Sequence, residues 1–147
     1  MLKNLFNQKI NIIENSMEPS LLNGSSITMR KIIFFYKPKR FDIVHFKNNK
    51  KNLIKRVVGL SNETIQVKKG ILIINGKRIS ENYISKNHIF DLPEIVIGKG
   101  EIFVMGDSRK ISVDSRKFGP VSEKYIIGKA FYIWLSVDLK NKVLGFI

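Results

Sequence analysis

Ser16 stands in Asn15-Ser16-Met17-Glu18-Pro19-Ser20, and Lys55 in the apolar run Leu53-Ile54-Lys55-Arg56-Val57-Val58. A serine hydroxyl becomes a nucleophile when a base takes its proton, and a lysine can be that base if burial keeps its amine neutral. Pro19 keeps Glu18 out of helical backbone, which supports a bend just after Ser16. For the hexapeptide alone, a turn serine without chemistry is the competing reading. Strict alternation puts Leu53, Lys55 and Val57 on one face of a strand and Ile54, Arg56 and Val58 on the other, so each face carries one cation among aliphatics. Of the two, only the lysine can lose its proton on burial; Arg56 stays charged and has to find a carboxylate or water. An edge strand whose cations both reach solvent is the bland alternative. A third segment runs from Gly106-Asp107-Ser108-Arg109 to Ser112-Val113-Asp114-Ser115-Arg116. Its alternating charges suit an ion-pair loop that satisfies itself, and it lacks the glycine spacing of a phosphate loop.

The elements that must position these residues read mostly as strands, because period 2 dominates the chain. Strands are expected at Lys9 to Glu14, Ile27 to Phe35, Asp42 to Lys47, Leu53 to Leu60, Thr64 to Val67, Ile71 to Ile74, Glu101 to Met105 and Ile126 to Trp134. Asn75-Gly76, between Ile71-Leu72-Ile73-Ile74 and Lys77-Arg78-Ile79, predicts a two-residue type I′ hairpin. Ser80 to Glu94, with Pro93, reads as an excursion without regular structure. The expected fold is mainly β, in antiparallel sheets with little helix, forming one domain over residues 1–147.

Composition narrows the chemistry. The absence of cysteine removes disulfides, thiolate zinc sites and a cysteine nucleophile. His45 and His88 lie far apart without patterned carboxylates, so neither a metal site nor a histidine triad is expected. With 26 Lys and Arg against 12 Asp and Glu, the net charge of +14 favours anionic partners such as phosphate backbones or lipid headgroups, although a biased genome composition explains the lysines equally well. The apolar runs Ile32-Ile33-Phe34-Phe35-Tyr36 and Phe131-Tyr132-Ile133-Trp134-Leu135 are too short to span a bilayer, so no transmembrane helix is expected. Met1 to Lys9 lacks the continuous apolar stretch of a secretion signal.

In their order along the chain, these segments resemble the boxes of the type I signal peptidases. Ser16-Met17-Glu18-Pro19-Ser20 is similar to the nucleophile box, Asp42-Ile43-Val44-His45-Phe46 to the strand box, Lys55-Arg56-Val57-Val58-Gly59 to the box of the general base, and Gly106 to Arg116 to the final box. The resemblance covers about Ile10 to Trp134. It implies that Ser16 attacks the scissile carbonyl, that Lys55 is the general base, and that Ser112 hydrogen-bonds and orients the lysine amine. It further implies that Asp107 pairs with Arg56 and Asp114 with Arg116, as supports. The implied fold is mostly antiparallel β with an apolar surface resting on the membrane, and the implied activity is removal of signal peptides by a serine endopeptidase with no cofactor. Preprotein signal peptides and an anionic membrane surface are the expected partners, with the catalytic domain on the extracytoplasmic side. Substrate pockets are expected along Ile10 to Asn15, at Ile13 and Asn15, and near Leu53 and Ile54.

Three departures from the family pattern stand out. Glu14 occupies a place where the family usually has Ser or Gly, so a carboxylate sits where an oxyanion would be opposed, and the Ser16 backbone N–H is left as the expected donor. Ser108 replaces an Asn. No membrane anchor precedes the nucleophile box, with residues 1–9 as the possible remnant or flank of one. Two rival classes remain: a self-cleaving repressor-type Ser/Lys peptidase, which no DNA-binding helical domain supports, and a basic β module binding nucleic acid through Phe34, Phe35 and Tyr36. Nucleic acid is not the expected partner.

Overall fold

The computed structural model describes residues 7–31, 36–84 and 88–134. The expectations for Met1 to Phe6, for Ile32 to Phe35 and for the tail beyond Trp134 lie outside these residues. In chain order the strands are β1 (Asn7–Asn11), β2 (Ser26–Lys31), β3 (Ile43–Asn48), β4 (Lys51–Gly59), β5 (Thr64–Lys68), β6 (Ile71–Ile74), β7 (Lys77–Ile79), β8 (Leu92–Val96), β9 (Glu101–Met105), β10 (Val121–Ser122) and β11 (Ile126–Trp134). One four-residue helix, α1 (Ser115–Phe118), precedes β10. A seven-stranded sheet has the order β1-β2-β11-β3-β4-β9-β10, and a four-stranded sheet the order β7-β6-β5-β8; all recorded pairings are antiparallel. The mainly β, antiparallel expectation therefore holds.

Turn chemistry explains the hairpins. Asn75 and Gly76 both have positive φ, 49° and 75°, as a type I′ turn requires, and they join β6 to β7. Asn49 and Lys50 do the same between β3 and β4, with φ of 44° and 67°. β4 lies between β3 and β9, so Lys55 is on an internal strand and the edge-strand alternative falls.

Packing divides into three clusters. Val58, Phe103 and Met105 meet Ile65, Val67, Leu72 and Ile74, which joins the two sheets. Val44, Phe46, Val57, Ile102 and Val104 fill the middle of the large sheet. Met17 and Leu21 pack with Ile12, Ile27, Met29 and Ile43. Burying each of those two side chains stabilises by about 1.5–3 kcal/mol, enough to pin the Ser16 loop onto β2.

Three local expectations need correction. β1 ends at Asn11, so Ile12 to Glu14 leave the sheet and Ile13 is exposed. The excursion read from Ser80 to Glu94 runs into β8, which pairs with β5; Pro93 is tolerated there because β8 is at the sheet edge. The ion-pair loop contains α1, nucleated by Asp114, whose carboxylate accepts the Arg116 N–H. Among the described residues no helix is long and apolar enough to cross a membrane.

Candidate active site

Ser16 sits in a run of turns closed by Glu18 N–H to Asn15 C=O (3.2 Å) and Leu21 N–H to Met17 C=O (2.9 Å), with a cis peptide at Glu18–Pro19. Buried Met17 and Leu21 anchor this loop, so Ser16 is held by its neighbours instead of by a strand. From β4, the Lys55 amine reaches it: Nζ donates to Ser16 Oγ at 2.7 Å. Lys55 is only 2% exposed. Burial pushes its amine below the ordinary lysine value, while the carboxylates of Glu14, Asp114 and Asp107 pull the other way. The net direction is downward: burial eases loss of the proton, while the three carboxylates steady the protonated form.

The supporting ion pairs are formed. Arg56 donates from Nε and Nη2 to the two Asp107 oxygens at 2.8 and 2.6 Å, and it also donates to Phe41 C=O and Ser20 Oγ, each at 3.0 Å. Asp114 accepts from Arg116 Nε and Nη2 at 2.8 Å each and from the Gly106 N–H at 2.9 Å. Burial opposes the Asp114 charge, but Arg116, the Gly106 amide and the nearby Ser112 hydroxyl outweigh it and hold the carboxyl below its usual range.

Ser112 departs from expectation. Its Oγ is buried and has no hydrogen-bond partner among the described residues, so the bond to the Lys55 amine that the resemblance implies is not formed. The hydroxyl lies close enough to Asp114 to favour its charge without the geometry of a bond. It is packed on Gly106 instead: a Cβ added there would sit 2.2 Å from Ser112 Oγ and 2.4 Å from the Ser16 carbonyl oxygen. The same carbonyl accepts the Ser108 N–H at 3.1 Å, so the loop grips the Ser16 backbone directly.

A groove of about 210 Å³ opens beside Ser16, lined by residues that include Ile13, Glu14 and Ile54. Ile13 and Ile54 thus lie where substrate contacts are expected. Asn15 is exposed but does not line the groove, and Leu53 packs against the central cluster instead. The sequence reading missed Ser20 and His45. Ser20 is bonded to Arg56, a contact between distant segments with no local signal. His45 also lines the groove, and burial lowers its imidazole below the ordinary value; its place opposite Ile54 on the paired strand is the signal that would have found it.

Comparison with known proteins bears on this arrangement. The family described as "Signal peptidase, peptidase S26" matches residues 1–135. A Bacillus subtilis protein named signal peptidase I V is 40% identical over 129 residues, covering 77% of this chain and 77% of the relative. Signal peptidase I of Bacillus caldolyticus is 40% identical over 136 residues, 81% of this chain and 75% of the relative. The crystal structure of a signal peptidase I from Enterococcus faecalis superposes with a TM-score of 0.57 at 35% identity, covering 65% of this chain and 98% of that one.

Proposed function

The chain belongs to the signal peptidase family, peptidase S26, and from that premise we propose that it removes signal peptides from preproteins with Ser16 as nucleophile and Lys55 as general base. It is a hydrolase of the serine endopeptidase class. The observation that carries the assignment of the dyad is the 2.7 Å contact between Ser16 Oγ and the amine of a lysine that is 2% exposed. In the reactive form the neutral Nζ accepts the Ser16 proton as Oγ attacks the scissile carbonyl, and the ammonium then gives it to the leaving amine. Water, deprotonated by the same amine, hydrolyses the acyl-enzyme. Asp107, Asp114 and Glu14 favour the ammonium formed in the first step. The Ser16 backbone N–H is the donor assigned to the oxyanion, with Glu14 opposing that charge. No cofactor is needed for these steps.

An extended preprotein segment would lie along the groove, with Ile13 and Ile54 against its alternate side chains. We place this surface at the extracytoplasmic face of an anionic membrane. Exposed Ile13 near Ser16 and Ile111 and Val113 flanking Ser112, together with the +14 charge, support contact with an anionic membrane, and the side follows from the family reading alone.

The dyad is tested by preprotein cleavage. Ser16→Ala and Lys55→Ala should each lower kcat on the order of 10⁴- to 10⁶-fold while the fold persists, and the double variant should be no worse than either single. Full turnover by either single variant would remove the dyad.

A further inference from the structure

After β7 the chain leaves the four-stranded sheet and reaches the loop behind Ser16. Glu81 meets Arg109 there in a two-pronged pair, Nη2 to Oε1 at 2.6 Å and Nη1 to Oε2 at 3.1 Å. The two side chains are nearly sealed from solvent, with 1% and 4% of their surface exposed for Arg109 and Glu81. Two residues on, Tyr83 donates its hydroxyl to Glu81 Oε1, and the Arg56 guanidinium lies 3.9 Å from the centre of its ring. Desolvating a buried ion pair cancels most of what the attraction returns, so such a pair contributes fixed geometry more than stability.

That geometry leads to the nucleophile by two arms. On one, Arg109 Nε donates to the Gly106 carbonyl at 3.0 Å, and Gly106 is the residue whose backbone abuts the Ser16 carbonyl. Arg116 Nη1 adds a bond to the Arg109 carbonyl at 2.7 Å. On the other, Arg56 bonds Ser20 in the Ser16 loop and Asp107 in the facing loop. Glu81 and Tyr83 touch both arms at once.

We propose that Glu81 and Tyr83 are positioning residues for the cleavage reaction: through Arg109 and Arg56 they set the Ser16 loop so that Oγ stays against the Lys55 amine. The proposal rests on the reading of Ser16 as nucleophile. Neither residue approaches the reacting atoms, so the effect is on placement. A displacement of about 1 Å at a nucleophile costs about 10²-fold in rate.

Steady-state cleavage of a preprotein by the full chain, well below every variant's melting temperature, tests it. Glu81→Gln keeps the shape and leaves the Arg109 charge unpaired; its kcat should fall about 10²-fold with KM little changed. Tyr83→Phe keeps the ring under Arg56 and loses only the hydroxyl, so it should fold as the parent does and lose kcat by a smaller factor. Residues acting as one unit are not additive, so Glu81→Gln combined with Arg109→Gln should be no slower than Glu81→Gln alone. Unchanged kcat in folded Tyr83→Phe and Glu81→Gln, or a loss confined to KM, overturns the proposal; if Glu81→Gln does not fold, Tyr83→Phe decides. Ser16→Ala runs in parallel. Its full turnover would overturn the nucleophile reading and this proposal together, whereas an inactive Ser16→Ala beside fully active Glu81 and Tyr83 variants overturns this proposal alone.

Discussion

Lys55 has to be neutral when a substrate carbonyl arrives, and two opposing influences set how often it is. Burial lowers the amine, and Glu14 is the first of three carboxylates that raise it again. Activity follows the neutral fraction, which falls about tenfold for each pH unit below the amine's pKa, so turnover should rise with pH through the lowered value and then level off. Because Glu14 favours the ammonium, Glu14→Ser should shift that rise to lower pH and, by removing a carboxylate from the groove that Ser16 lines, increase kcat. A pH–rate profile of both proteins checks this; an unchanged midpoint in Glu14→Ser would show that the carboxylate does not act on Lys55. Arg56, one position along, cannot serve as a base, since a guanidinium does not give up its proton, and it is held instead in an ion pair with the fully buried side chain of Asp107.

At the scale of elements, the loop from Gly106 to Arg116 works because Gly106 has no side chain. Gly106→Ala would drive a Cβ into the Ser16 carbonyl oxygen, which is backbone and cannot swing away. Destabilisation of about 1–3 kcal/mol is expected, with a loss of about 10²-fold in kcat, measurable by thermal melting and cleavage assays on the same preparation. The sequence made some elements readable and hid others for physical reasons. The Asn75-Gly76 hairpin was legible because its backbone needs two positive φ values that few residue pairs supply. Lys55 and Arg56 were legible because strand alternation isolates each among aliphatics. β8 was hidden by Pro93, whose exclusion from sheets does not apply at an edge, and α1 is too short to show a helical period. Ser112 was misread in its bonding because loop packing, here against Gly106, is not encoded in spacing. The Glu81–Arg109 pair spans 28 residues and leaves no trace in either local pattern.

For the whole molecule, charge and exposed apolar surface should act together. Binding to anionic vesicles should fall as salt rises, since surface charges are screened within about 8–10 Å at 0.1–0.15 M, and leave a salt-resistant remainder from side chains such as Ile13 and Val113. Protein wholly in solution with such vesicles at low salt would end the peripheral-docking idea, and salt-sensitive retention on nucleic acid in its place would favour the rival class. The hydrogen bonds of the site also carry a message about time. Lys55 is 39 residues from Ser16, and Arg56 is 51 from Asp107. Both contacts, like the β2–β11 pairing that joins Arg30 to Lys129, close long loops and form more slowly than local hairpins such as β6–β7. During refolding from denaturant, the hairpin share of the β-sheet signal should therefore return before cleavage does, and a chain halted before β9 and its following loop have docked should have strands but no peptidase. The enzyme is in this sense its own zymogen, harmless to unfolded copies of itself until the last segment has come home.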